Sequence, residues 1–139
     1  MSSTIETAAT PAVGRTAYWA GWVLSGLLIA FLLFDAGLKL LQLDVVDETM
    51  TQLGWPVEYS RMLGVITLIC VVLYAYPRTA VLGAILMTAY LGGAMATHIR
   101  VGSPLFSHVL FSVYLGLFLW GGLYLRDPRV RALIPWRAA

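Results

Sequence analysis

The sequence predicts an all-α fold, a four-helix transmembrane bundle with a short interfacial helix between the first and second spans. Composition is the first indication, because the chain is 60% hydrophobic and only 12% charged, whereas charged residues make up about 25% of water-soluble domains. The second is that the apolar residues fall into four runs of helix length. The third is that most charged residues lie at the ends of these runs. The chain is therefore expected to cross a lipid bilayer four times.

The N-terminal part divides into a leader and the first span. Residues 1–14 are rich in Ser, Thr and Ala, and we expect them to form a disordered leader. Arg15 then precedes an apolar run that is too long for the core of a signal peptide. The first span is predicted over 16–41, because its uninterrupted apolar part, Ala17 to Phe34, has 18 residues and a crossing helix needs roughly 20.

The connection between the first and second spans is polar and acidic. It carries four acidic residues and no basic one, namely Asp44, Asp47, Glu48 and Glu58. Asp44 or Asp47 is the expected N-cap of a short interfacial helix that ends near Gly54, since Asp is favoured at N-caps and Gly just beyond a helix end. Trp55 is expected at the membrane surface, and Pro56 begins the next segment.

The second span is predicted over 57–76. Its apolar run, Met62 to Tyr76, has 15 residues and would measure only about 23 Å as a helix, which is too short to cross the bilayer. The helix must therefore begin near Val57. This start brings Arg61 to the membrane edge, where its side chain either extends outward or turns toward Asp35 inside the bundle.

The third and fourth spans are predicted over 79–97 and 105–124, after a tight turn at residues 77–78. The third span has small residues at i,i+4 spacing, which allow close helix approach in lipid, and it is expected to be the most enclosed helix. These pairs are Ala80 with Ala84, Ala89 with Gly93, and Gly92 with Ala96. Together the spans form a membrane domain over 15–127, followed by a basic cytoplasmic tail over 128–139 that anchors at the interface.

The basic residues are unequally divided between the two ends of the predicted bundle. Six lie on the side of the N-terminus and three on the other: Arg15, Arg78, Arg126, Arg129, Arg131 and Arg137 against Lys39, Arg61 and Arg100. Because basic residues concentrate on the cytoplasmic side, both termini are predicted to be cytoplasmic. The protein is then a multi-pass protein of the cell membrane, the inner membrane of a bacterium, and its acidic connection faces outward.

Polar and ionisable groups inside the spans are candidates for a pocket, because such groups usually face the bundle interior or water. The candidates lie near the outward ends of the spans: Asp35, Lys39, Arg61, Thr67, His98, His108 and Ser112. They predict an outward-opening polar pocket. Purely structural roles are the alternative, namely a local i,i+4 ion pair for Asp35 with Lys39, a helix C-cap for His98 and a satisfied buried histidine for His108.

Several kinds of site are not expected. The single cysteine, Cys70, cannot form a disulfide or a cysteine metal site within one chain. His98 and His108 can approach each other, but they lack the close spacing of a metal motif and the depth of a haem pair, so neither metal nor haem is expected. The arginines form no basic face, so nucleic acid is not an expected partner either. The cofactor stays unknown, with a quinone possible.

Five short segments occur in an ordered series along the chain, namely 34–40 (FDAGLKL), 53–56 (LGWP), 61–65 (RMLGV), 76–84 (YPRTAVLGA) and 96–98 (ATH). From about Ala17 to Asp127 the chain resembles the DoxX-like family of small four-helix integral membrane proteins. The resemblance implies a four-span bundle and association with membrane oxidoreductase systems, including thiosulfate:quinone oxidoreduction. One position departs from it: where such sequences often have glutamate in a Leu-Gly-x-x-Glu pattern, this chain has Thr67.

Three functional hypotheses follow. In the first, the protein is an accessory or ligand-binding component of a membrane redox system, and its pocket holds a quinone or a lipid. In the second, it is a membrane enzyme of the oxidoreductase or isomerase type, with His108 as acid or base and Asp35 as its charge partner. In the third, it is a scaffold whose small-residue faces bind other membrane or oxidoreductase subunits, or further copies of the chain.

Overall fold

Four long apolar helices form a bundle in the computed structural model, which describes residues 14–136. Within this range the chain contains helices and turns and no strand, so the predicted all-α class is confirmed. Residues 1–13 of the predicted leader and 137–139 of the predicted tail lie outside the described residues, and the division into leader, membrane domain and tail stays a prediction.

The helices follow the predicted order along the chain. They are α1 (Arg15–Leu41), α2 (Asp44–Gln52), α3 (Ser60–Ala75), α4 (Ala80–Arg100), α5 (Phe111–Arg126) and α6 (Pro128–Leu133). Three of them continue short turns, which are 3₁₀ turns at Val57–Tyr59 and Pro77–Thr79 and a π-helical turn at Leu105–Val109. With these turns included, four segments of 19 to 27 residues are long and apolar enough to cross a bilayer.

The four long helices surround one apolar core. α1 packs against α3 and α5, and α4 packs against the same two helices, so that α1 and α4 occupy opposite corners. The core between them includes Leu28, Leu32, Tyr74, Met87 and Leu119. Successive spans run antiparallel, which places both described ends of the chain at one end of the bundle. This end is called the terminal end, and the other, where α2 lies, is called the α2 end.

The outer surface of the four long helices is also apolar. Large aliphatic and aromatic side chains stay exposed on every span, including Leu27, Phe34, Ile69, Leu82 and Leu117. A water-soluble bundle covers this face with polar residues, whereas a helix that is hydrophobic all round suits a membrane. The chain is therefore a multi-pass membrane protein, as predicted.

Small residues set the distance between the helices. An added Cβ at Gly21 of α1 would lie 2.7 Å from the carbonyl oxygen of Gly122 of α5, and one at Gly122 would collide with Ser25. An added Cβ at Gly83 of α4 would collide with the backbone of Tyr74 in α3. The glycines allow the backbones to approach closely, which is a main source of helix association in lipid.

The third span is not the most enclosed helix, so this prediction is wrong. In its most apolar 18-residue window 28% of the residues are buried, against 33% in the second span. Ala80 and Ala84 are fully packed, but added Cβ atoms at Gly92 and Gly93 would meet nothing within 4 Å. Of the three pairs of small residues, only the first, Ala80 with Ala84, is packed against another helix.

The short helix α2 is amphipathic. Val46 and Met50, one turn apart, are buried, while Asp44 and Glu48 are exposed. The predicted cap is wrong, because the N-cap is Leu43 and no side chain caps the helix. Asp44 lies in the first turn instead, where a carboxylate still favours the positive end of the helix dipole.

The end of α2 agrees with the sequence. Gly54 has a φ of 76°, a left-handed conformation that glycine adopts without steric cost. This turn lets the N–H of Trp55 donate to the carbonyl of Met50 at 2.9 Å. The chain thereby leaves α2 and enters the 3₁₀ turn before α3.

Candidate ligand pocket

A cavity of about 510 Å³ opens at the α2 end of the bundle. α1, α4 and α5 form its walls, and α2 contributes Val45, Val46, Thr49 and Met50. Most of the lining is apolar, with aromatic rings from Phe31, Trp55 and Phe111. This volume and lining are typical of sites for small organic molecules, which occupy roughly 300–1,000 Å³. The cavity is called the pocket from here on.

A polar cluster of Asp35, Lys39 and Tyr90 lies on one wall of the pocket. The ammonium of Lys39 donates to Asp35 Oδ2 at 2.6 Å and to the Tyr90 hydroxyl at 2.8 Å. The i,i+4 pairing of Asp35 with Lys39 is one of the alternatives that the sequence left open, the other being a pair with Arg61. Tyr90 extends this pairing across the bundle from α1 to α4. The Asp35 carboxylate compensates the charge of Lys39, which makes a partly buried ammonium tolerable here.

The two histidines meet on another part of the lining. Their ring centroids are 5.6 Å apart and the planes are inclined by 64°, so the rings contact edge to face. His98 Nδ1 lies 3.0 Å from Ser103 Oγ, and His108 Nδ1 lies 2.7 Å from Ser107 Oγ. No protein group within residues 14–136 hydrogen-bonds either Nε2 atom, which leaves one nitrogen on each ring for a ligand or for water.

The pocket brings together five of the seven candidate residues. Asp35, Lys39, His98, His108 and Ser112 line it. Thr67 and Arg61 do not.

Thr67 and Arg61 have other surroundings. Thr67 is 0% exposed, and its hydroxyl donates to the carbonyl of Leu63 one turn earlier in the same helix. Arg61 is exposed on the first turn of α3, and within the described chain it forms no ion pair with Asp35. Thr67 therefore offers no group to a ligand in the pocket.

Two further residues at this site carry weak sequence signals. Tyr90 stands alone in an apolar run, and the only indication of its role is that a hydroxyl inside a membrane needs a partner. For Arg100 the only sequence signal is its position at the end of a span, whereas in the structure its Nη2 donates to the carbonyl of Leu53 at 2.7 Å. It thereby attaches the end of α4 to the end of α2, beside the pocket.

The described residues also limit metal binding by side chains. Between residues 14 and 136 no three His, Cys, Asp or Glu side chains come together in an arrangement able to hold a metal ion. The histidine pair and the Asp35 cluster both line the pocket, but they do not form one ligand set. What the pocket presents to an occupant is hydrogen-bond donors and acceptors on apolar walls.

Comparison with protein families gives a match over residues 23–122, to a model described as the DoxX-like family. The chain belongs to the DoxX-like family. The matched region extends from the third turn of α1 to the last part of α5, so it includes all five candidate residues that line the pocket of this DoxX-like protein. No curated protein and no solved structure matches the chain.

Proposed function

We propose that this DoxX-like protein is an accessory or ligand-binding component of a membrane redox system, and that its pocket holds a quinone or another lipophilic molecule with a polar head. One observation carries the proposal: apolar walls enclose a small number of convergent polar groups in a cavity of about 510 Å³. Sites for small molecules commonly combine these two features. A quinone matches them, since it has an apolar ring and tail and two carbonyl acceptors.

The polar cluster has unused donors for such a carbonyl. An ammonium has three N–H donors, and two of those on Lys39 are directed to Asp35 and Tyr90. Because the Tyr90 oxygen accepts from Lys39, its own O–H is free to donate, and no protein acceptor takes it within residues 14–136. The third N–H of Lys39 and the phenol of Tyr90 are therefore the groups that would hold a carbonyl oxygen.

The structure supports binding more than catalysis. Asp35 bonds to Lys39, and no hydrogen bond joins it to His108 in the described part of the chain, although the enzymatic hypothesis assigns the two a joint role. The position that often holds a glutamate in similar sequences is Thr67, whose hydroxyl bonds its own helix. An accessory or binding role uses the groups that line the pocket. It requires neither a carboxylate at position 67 nor a hydrogen bond between Asp35 and His108.

The proposal is tested by purifying the protein in mild detergent and identifying co-purified quinones and lipids by mass spectrometry. Tyr90→Phe removes the hydrogen bond from the phenol to the quinone carbonyl, worth about 0.5–1.5 kcal/mol, together with the acceptor of one Lys39 N–H. It is expected to weaken binding of an added quinone by about threefold to tenfold. Tyr114→Phe is the matched control, because Tyr114 lies outside the pocket and its hydroxyl donates to the carbonyl of Phe106. The control should bind as the wild type does.

Opposite results separate the hypotheses. The binding proposal fails if the purified protein carries no quinone or lipid, an added quinone does not bind, and Tyr90→Phe and His108→Ala behave as the wild type. Turnover of a quinone that is lost in both Asp35→Asn and His108→Ala would favour the membrane enzyme instead. Crosslinking that recovers only monomer would argue against the scaffold.

We further propose that the chain lies in the cell membrane with both termini in the cytoplasm, which opens the pocket to the outside. Other membrane or oxidoreductase subunits are the proposed partners, and further copies of the chain are an alternative. Crosslinking in membranes, followed by mass spectrometry of the proteins recovered with the chain, tests both alternatives. Heterologous subunits give peptides of other sequences, whereas further copies of the chain give only its own peptides.

A further inference from the structure

A second cavity, of about 260 Å³, lies at the terminal end of the bundle, away from the pocket. The start of α1 supplies Tyr18 and Trp22, and the end of α5 supplies Arg126. Asp127 and Arg129 complete its polar lining. The cavity is smaller than a typical site for a drug-sized molecule, so it suits a small polar group.

Arg126 is a buried cation without a carboxylate partner in the described chain. Its side chain is 9% exposed, and its guanidinium lies 4.1 Å from the ring centroid of Trp22 and 5.4 Å from that of Tyr74. Nε donates to Ser25 Oγ at 3.2 Å, but Nη2 is screened from solvent and has no hydrogen-bond partner. Aromatic faces attract a cation, yet a buried charge with an unsatisfied donor is costly.

The nearby acid does not supply the missing partner. Asp127 accepts a hydrogen bond from the backbone N–H of Arg129 at 2.9 Å, and its carboxylate lies 3.5 Å from Arg129 Nε. The charges of Asp127 and Arg129 therefore offset each other. The positive charge of Arg126, which also lines the cavity, is therefore not balanced by Asp127.

We propose that this cavity binds a phosphate group, held by the guanidinium of Arg126. A guanidinium offers a planar fork of donors that matches phosphate oxygens, and a phosphate bound in the cavity would balance the positive charge of Arg126, which no carboxylate of the described chain pairs with. Phosphate can come from a phospholipid headgroup or from free phosphate. Tyr18 and the exposed Trp19 lie at the same end, where aromatic side chains mark the headgroup level of a bilayer, and this favours the phospholipid.

The test compares three probes on the purified full-length protein in detergent. These are a short-chain phosphatidylglycerol, the diacylglycerol with the same chains but no phosphate, and inorganic phosphate. Binding is measured by native mass spectrometry for the lipids and by the shift of the thermal unfolding midpoint for all three. The wild type is expected to bind phosphatidylglycerol at least tenfold more tightly than the diacylglycerol.

Three variants assign the binding to one side chain. Arg126→Met is expected to abolish the preference for the phosphorylated lipid, and Arg126→Lys to retain the charge but bind at least threefold more weakly, since an ammonium lacks the planar fork. Arg78→Met is the matched control, because Arg78 is an exposed arginine at the same end that does not line the cavity. It should keep the full preference.

Each outcome decides for or against the site. Binding of inorganic phosphate as tight as that of the lipid supports the phosphate site and assigns it to free phosphate. Equal binding of the two lipids without a phosphate-induced shift overturns it, as does an equal loss in Arg126→Met and Arg78→Met. If Arg126→Met does not fold, the comparison of Arg126→Lys with Arg78→Lys decides, and equal binding by these two overturns the site.

Discussion

Gly83 and Gly92 both belong to α4, but only Gly83 has another backbone against it. An added Cβ at Gly83 would collide with the backbone of Tyr74, whereas one at Gly92 would meet open space. Two effects oppose each other when alanine replaces a helical glycine. The helix gains roughly 1 kcal/mol in propensity, and overpacking costs about 1–3 kcal/mol, so the surroundings of each glycine decide the sign.

We therefore predict opposite effects for two chemically identical substitutions. Gly83→Ala should lower the free energy of unfolding by about 1–2 kcal/mol net, because the obstacle is backbone and cannot move aside as a side chain can. Gly92→Ala should raise the free energy of unfolding or leave it unchanged. Denaturant unfolding in detergent, followed by circular dichroism, measures both, and equal effects would show that α3 and α4 do not cross closely at Gly83.

Single residues also show which parts of the site can be predicted from sequence. The pair Asp35–Lys39 was predictable because i,i+4 contacts follow from helix geometry alone. Tyr90 joins the pair from 51 positions away, and Arg126 reaches Ser25 across 101 positions. Such contacts depend on how the spans are rotated against one another, which the uniformly apolar helices of this chain barely encode.

Helix α2 forms part of the wall of the pocket. Its apolar face, with Val46 and Met50, lines the cavity. Two side chains attach the ends of this segment: Arg100 Nη2 donates to the carbonyl of Leu53 at 2.7 Å, and Gln42 Nε2 donates to that of Val57 at 3.1 Å. The sequence predicted the helix and its end at Gly54 from local turn chemistry, but it could not predict the attachment to α4.

Arg100→Ala is expected to loosen α2 without unfolding the bundle. The lost hydrogen bond joins a charged donor to a carbonyl at an exposed position. We therefore expect it to contribute about 1 kcal/mol to the free energy of local opening of α2, less than the 1.5–3 kcal/mol typical of hydrogen bonds to charged groups. Amide hydrogens of α2 should then exchange about fivefold faster, as followed by mass spectrometry, since 1 kcal/mol changes a local opening equilibrium by this factor.

Arg61→Ala is the control for this experiment. Arg61 is an exposed arginine at the same end of the bundle, and its side chain forms no hydrogen bond or ion pair in the described chain. Exchange in α2 should be unchanged in this variant. An equal acceleration in both variants would indicate a general effect of charge and would contradict the attachment of α2 by Arg100.

Across the whole molecule, the exposed basic residues are unequally divided between the two ends of the bundle. At the α2 end the Lys39 ammonium is bonded inside the pocket and Arg100 is bonded to α2, which leaves Arg61 as the exposed and unpaired basic residue there within the described chain. The acidic residues of α2 are mostly exposed. At the terminal end Arg15 and Arg78 are exposed and form no ion pair in the described chain, while the charge of Arg129 is offset by Asp127. Because free basic residues favour the cytoplasmic side, the terminal end should lie in the cytoplasm and the pocket should open outward.

Single cysteines test this orientation. Cys70 is the one cysteine of the chain and is 4% exposed, so Cys70→Ala gives a background without reactive thiols. In this background a membrane-impermeant maleimide should label Gln52→Cys on α2 in intact bacterial cells, and Ala132→Cys on α6 only after permeabilisation, since both positions are exposed at opposite ends of the bundle. The reverse pattern would place the pocket in the cytoplasm, and labelling of both cysteines in intact cells would mean that the chain inserts in both orientations.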